Sequence, residues 1–119
     1  NSNKNATFAG TVSDSKGNLR SVPQNSQSSA YALVAADAGK HVIISSGGVT
    51  IPDSVFSVGD VVTIISNSGS SQTITQGSNF TLYNSADSST GNRTLASRGM
   101  CTLIFTHTSY AYISGAGLT

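Results

Sequence analysis

The sequence predicts an all-β protein, and three observations predict it. Of 119 residues, 48 are Ser, Thr, Asn or Gln, while only 9% are charged, against about a quarter in an ordinary soluble domain. All five acidic residues are Asp and Glu is absent; Glu favours helices, whereas Asp, Ser, Thr, Asn and Gly favour turns and strands. Apolar–polar alternations of about five residues recur between turn signals at roughly 8–12-residue spacing, the rhythm of a β-sandwich or barrel. A helical bundle is excluded. The expectation is an antiparallel, jelly-roll-like β-sandwich of about eight strands behind an N-terminal β-hairpin arm.

The arm occupies residues 1–29 and the sandwich residues 30–119. In the arm, residues 6–13 (ATFAGTVS) alternate with the strand period of two. Residues 14–18 (DSKGN) supply a turn, with Gly17 and Asn18 suited to positive φ. Residues 19–22 (LRSV) read as a return strand stopped by Pro23, which cannot donate to a ladder. Residues 25–29 read as a polar connector. A lone hairpin with so few apolar side chains is marginal in water. Phe8, Val12, Leu19 and Val22 are therefore expected to pack on neighbouring subunits.

The body follows in order. Residues 31–34 (YALV) read as a strand, with a short helix over 30–38 as the alternative; Asp37 and Gly39 favour a turn there. Strands are expected over residues 40–45 (KHVIIS), 49–51 (VTI), 54–58 (SVFSV), 61–66 (VVTIIS), 72–76 (QTITQ) and 80–83 (FTLY). Residues 84–92 contain almost no apolar side chain and read as an exposed loop. A short strand over 93–97 and a final hairpin, 101–106 with 110–114 across His107, Thr108 and Ser109, complete the chain. There is no exact internal sequence repeat.

The same composition limits function. Six Lys and Arg stand singly and the net charge is +1, so the dense basic stripe that neutralises phosphates is missing and no nucleic-acid partner is expected. No apolar run approaches the ~20 residues needed to cross a bilayer as a helix, so no membrane insertion is expected. The opening Asn-Ser-Asn-Lys-Asn reads as a cut within a longer protein. A single cysteine, Cys101, cannot form an internal disulfide.

Catalysis is not expected. His41 and His107 stand outside any metal-ligand spacing. Cys101 and His107 are six residues apart, an even separation that places both on one face of a continuous strand. The apolar setting of Cys101 nevertheless predicts a small buried hydrophobe rather than a reactive thiolate. Asp14, Asp37 and Asp60 adjoin turns and have structural work there, so paired carboxylates are not expected to converge. The glycines at 115 and 117 open no helix and form no phosphate cradle. Sequons at Asn5, Asn79 and Asn92 match what chance supplies in a Ser/Thr-rich chain. No cofactor or metal site is predicted.

Recognition is the remaining class. Tyr83, Tyr110 and Tyr112 offer either an aromatic platform for sugar or sandwich packing with hydroxyls reaching water. Ser and Asn are adaptable contact residues in recognition loops. The candidate contact region is therefore the loop from Tyr83 to Arg93, with Asn84, Asp87, Asn92 and Arg93 as hydrogen-bonding groups and Tyr83 as a stacking face.

Residues 7–12 (TFAGTV) followed by 14–20 (DSKGNLR) resemble shaft and junction segments of bacteriophage tail fibres of cyanophage or other marine-phage type. Residues 31–34 (YALV), 37–41 (DAGKH), 51–52 (IP), 56–59 (FSVG) and 113–118 (ISGAGL) are similar to the small β domain of those virion proteins. The resemblance runs through nearly the whole chain, although a Trp common near the last strand is replaced here by Tyr110 or Tyr112. It implies a homotrimer on the virion, with other virion proteins and a host-surface glycan or protein as partners, and no catalytic residue. The alternative is a structural capsid decoration, baseplate or fibre-cap protein that binds no receptor.

Overall fold

The computed structural model describes residues 4–119. Among these residues the structure is all-β: eleven strands, a single 3-10 turn over Ala35–Asp37 and no α-helix. The arm forms its own two-stranded hairpin, β1 (Ser13–Asp14) against β2 (Gly17–Asn18), with Gly17 at φ 127°. The hairpin is shorter than the alternation predicts. Its turn is Ser15–Lys16, and only the Leu19 amide, donating to the Val12 carbonyl at 2.8 Å, extends the ladder.

The other nine strands form one sheet: β3 (Gln24–Gln27), β4 (Tyr31–Ala32), β5 (His41–Ile44), β6 (Val49–Ile51), β7 (Val61–Ser66), β8 (Gln72–Gln76), β9 (Thr81–Asn84), β10 (Arg93–His107) and β11 (Tyr110–Leu118). Here the expectation is corrected. The first six strands pair in parallel, β3 with β5 with β7 and β4 with β6 with β8, and β9 is parallel to β11. An antiparallel jelly roll is therefore not what forms. The chain instead winds in successive two-strand coils. Gln24 lies beside His41 and His41 beside Thr63, so one coil advances 17 positions and the next 22.

Coiling corrects two further expectations. Residues 25–29 are not a free connector, because β3 is the edge strand of the main sheet. The alternation at 54–58 makes no strand; it forms turns that insert Phe56 into the core.

Strand β10 closes the fold. Its first residues pair with β8 (Arg93 with Ile74, Leu95 with Gln72) and its later ones with β7 (Met100 with Ile65, Ile104 with Val61). β11 follows it antiparallel throughout. Between the two halves a register shift separates Leu95–Leu118 from Met100–Ala116, and Arg98 takes φ 60°. The extra residues bend the strand, so the sheet curls back on itself and is barrel-like and nearly closed. Gly115 permits the close pairing beyond the bend: a Cβ there would lie 2.2 Å from the Met100 carbonyl oxygen.

Alternation now decides the core. Val42, Ile44, Val62, Ile64, Leu103 and Ile113 from one part of the sheet meet Val49, Ile51, Ile74 and Leu95 from the other in one cluster. One end is filled by rings: Phe56 stacks on Phe105 at 4.4 Å, and Phe80 meets Phe105 edge-on at 5.9 Å. At the first coil the interior is polar. Asn25 and Gln27 take the inward positions in register with Val42 and Ile44, and Asn25 donates to buried Asp37 at 2.8 Å. Tyr31 Oη donates to the same carboxylate at 2.7 Å, and the Val34 amide donates to it at 2.9 Å.

Candidate functional site

The outer surface of the sheet carries the most unusual chemistry. Because alternation sends Val42, Ile64, Cys101 and Leu103 inward, it sends their neighbours outward in registered rows. One row runs Ile43, Ile65, Met100, Ala116 across β5, β7, β10 and β11. A second runs His41, Thr63, Thr102, Ser114, with the Thr63 and Thr102 hydroxyls 3.3 Å apart. A third runs Val61, Ile104, Tyr112, Tyr83 across β7, β10, β11 and β9.

Among the described residues, none of the outward strand positions in these rows is Asp, Glu, Lys or Arg. An open sheet face normally carries such charges to prevent association. Here it exposes large apolar groups instead: Met100 at 53%, Ile104 at 45% and Tyr112 at 43%.

The tyrosines converge at one edge of this face. Tyr83 and Tyr112 are in register on parallel strands and stack at 5.1 Å and 20°. Tyr110 meets Tyr83 edge-on at 6.1 Å and stacks on His107 at 4.5 Å. The Ser109 amide donates to His107 Nδ1 at 3.1 Å, which fixes the ring's orientation. Sequence spacing pairs Tyr110 with Tyr112; only the parallel placement of β9 adds Tyr83. Stacked ring against ring, Tyr83 and Tyr112 form a ridge and not a flat sugar platform.

The loop from Tyr83 to Arg93 is ordered by its own hydrogen bonds. Asn84 is buried at 6% exposure; its side-chain amide donates to Asp87 at 3.0 Å, and its backbone carbonyl accepts from the Ser88 amide at 2.8 Å. Asp87 accepts from the Ser89 hydroxyl at 2.6 Å and its amide at 2.9 Å. These two bonds lower the Asp87 carboxyl below its ordinary range, with a smaller contribution from Arg93. Asn92 accepts from the Gln76 amide at 2.8 Å, and Arg93 donates to the Ser89 hydroxyl at 2.8 Å. Of the residues predicted to contact a ligand, Asn84 faces the interior. Asp87, Asn92 and Arg93 reach the surface while holding the loop together.

The arm residues behave differently. Phe8 is 67% exposed, Leu19 59% and Val22 57%, with Val12 half-buried. The arm is nonetheless tied to the body: Lys16 Nζ donates to the Ala38 carbonyl at 2.7 Å, and the His41 amide donates to the Pro23 carbonyl at 2.9 Å. His41 Nδ1 lies 3.1 Å from the Val22 carbonyl and Nε2 lies 3.2 Å from the Gln24 side-chain nitrogen. This assigns the proton to Nδ1.

The Cys101–His107 pairing allowed by even spacing is not made. A second register irregularity between Phe105 and His107 turns the histidine outward, while Cys101 stays in the core. Burial pushes the Cys101 thiol up to about 12, so it carries almost no thiolate at neutral pH. The native protein is expected to react with a thiol reagent such as DTNB at least 100-fold more slowly than the urea-unfolded chain. Comparable rates would place Cys101 outside the core. Among the described residues, no group of three or more His, Cys, Asp or Glu is placed to hold a metal ion.

No family model and no curated protein matches this chain.

Proposed function

We infer that this chain is a non-catalytic β domain of a bacteriophage tail fibre, a homotrimer on the virion surface that attaches the particle to a host-surface glycan or protein. The observation that carries the reading is unsatisfied apolar surface. Phe8, Leu19 and Val22 on the arm and Met100, Ile104 and Tyr112 on the sheet face remain exposed in one chain. Surface of this kind marks an interaction site, and a threefold assembly gives each chain two neighbours to cover it. The resemblance of residues 7–12 and 14–20 to fibre shaft and junction segments supports the same assignment. Attachment would be multivalent, with three weak sites per fibre multiplied by several fibres per particle.

On this reading the host contacts the exposed side of the loop from Tyr83 to Arg93, through Asp87, Asn92 and Arg93 and the edge of Tyr83. Light scattering coupled to size exclusion is expected to return three times 12.1 kDa. Fluorescently labelled protein is expected to bind host cells, and Asp87→Ala is expected to reduce that binding at least tenfold without changing the mass. A stable monomer would remove the trimer. Unchanged binding would remove the loop.

The second reading, a fibre cap, baseplate or decoration protein without receptor binding, is favoured by one observation: the polar groups of residues 84–93 are largely bonded to one another. Binding to host cells separates the two readings.

A further inference from the structure

We propose that the uncharged outer face of β5, β7, β10 and β11 is the seat for the N-terminal arm of a second copy of this chain, so that each subunit's arm lies across the next subunit's face. The inference rests on the homotrimer reading and names the surfaces that build it.

Four observations lead there. Among the described residues, Val34, Val55 and Val58 are exposed singly in turns and loops, while the arm and the sheet face each group several exposed apolar side chains, so one can complement the other. A contact between unlike surfaces is heterologous, and it makes a closed ring when its rotation is threefold.

The arm cannot satisfy itself within its own chain. Leu19 is fixed by its amide bond to Val12, and Val22 by its carbonyl against His41. Lys16 also anchors the hairpin to Ala38. Held there, Leu19 and Val22 stay exposed in one chain, and a second molecule must cover them.

The electrostatics match. Residues 5–13 of the arm contain no charged side chain, and neither do the outward rows of the face. Juxtaposing the arm with these rows leaves no charge in the rows to desolvate; Arg98, exposed on β10 just before Met100 and donating to Asn67, lies outside them. The hydroxyls of Thr7, Thr11 and Ser13 can bond the Thr63–Thr102 row.

The dimensions also agree. Nine extended residues span about 30 Å, and the four strands of the face at about 4.8 Å each are roughly 19 Å across, so the arm is long enough to cross it. An extended arm crosses it once, bringing Phe8 and Val12 against Ile104, Tyr112 and Met100. The same contact explains why Ile104, Met100 and Tyr112 are apolar at outward positions.

The test uses the full chain with a photo-crosslinking benzoylphenylalanine in place of Leu19. Equal parts of nitrogen-15-labelled and unlabelled protein are mixed, irradiated and mapped by mass spectrometry, with molar mass measured on the same sample. Isotopically mixed crosslinks from position 19 to peptides containing Ile104 or Tyr112 are the expected result. Ile104→Asp, at a half-exposed position, is expected to shift the mass from three chains to one while far-ultraviolet circular dichroism stays unchanged. A trimer crosslinked arm to arm, or a trimer that survives Ile104→Asp, overturns the arm-on-face contact and leaves the trimer standing. A monomer of the unsubstituted protein at every concentration overturns both. Should Ile104→Asp fail to fold, the isotopic crosslink decides alone.

Discussion

Gly47→Ala is expected to lower stability by about 3–5 kcal/mol, enough to abolish folding of a marginal domain. Gly47 turns the corner between β5 and β6 at φ 88°, and a Cβ there would lie 2.2 Å from the Ala30 amide nitrogen and 2.6 Å from its Cα. Both obstacles are backbone of the preceding coil, so nothing flexible can yield. Relief requires lifting β4 off β6, which breaks the parallel pairing of Tyr31 with Val49. Gly39→Ala is the control. It has a comparable φ of 81° but no atom within 4 Å of the added Cβ, so it carries only the left-handed strain, about 1 kcal/mol. Urea unfolding of the two variants separates backbone strain from coil stacking. Equal losses would mean that φ alone fixes the cost and that the coils do not stack as described.

Asp37→Ala is the second large effect, an expected loss of about 3 kcal/mol. The carboxylate is 1% exposed and accepts from Asn25, Tyr31 and the Val34 amide. Truncation removes the shared acceptor of these half-buried donors at the open end of the first coil, where an unmade bond costs more than a made one contributes. Tyr31→Phe removes one donor and leaves the others in place, so about 1 kcal/mol is expected. The network also leaves a titration signature. Burial raises the Tyr31 phenol above its ordinary value, reinforced by its hydrogen bond to Asp37 and the charge of that carboxylate. A raised folded value means that the native state holds this proton more tightly. The contribution is therefore complete below about pH 10 and fades as pH rises through the folded value. Absorbance at 295 nm should show Tyr31 ionising above the ordinary phenol value, and Asp37→Ala should bring it down toward that value. An unmoved titration would detach Tyr31 from the network.

How much was legible before folding varies by residue, and the reason is physical. Side-chain alternation has a period of two in any strand, so β6, β7 and β8 are readable to the residue and β5 nearly so. The same pattern places Val42, Ile64 and Cys101 inside. The polar run at 84–92 reads as a loop because it has nothing to bury. The exposed apolar arm is equally visible, because four side chains cannot build a core.

What alternation does not encode is a strand's neighbour or its direction. Ladder bonds are made by backbone groups common to every residue, so Gln24–Gln27 could pair as β3 despite a wholly polar sequence. The coil corners decided parallel pairing. Once Gly47 and Gly48 turn the chain without reversing it beside its predecessor, β6 must run alongside β4.

Bulges decided the rest. The irregularity after Phe105 turns His107 away from Cys101, and the bend after Leu95 lets β10 serve both parts of the sheet. Asn84 reads as a surface residue by type, yet it lies opposite Ile113 in register and is therefore buried. The tyrosine cluster likewise waits on β9 lying parallel to β11. Composition and alternation are enough to make this protein all-β and sparsely charged, with an arm whose few apolar side chains build no core of their own. The tertiary structure alone decided that its strands coil in parallel and that their outward rows align into an uncharged face, because pairing partners and register are set by chain geometry over long separations and not by local side-chain pattern.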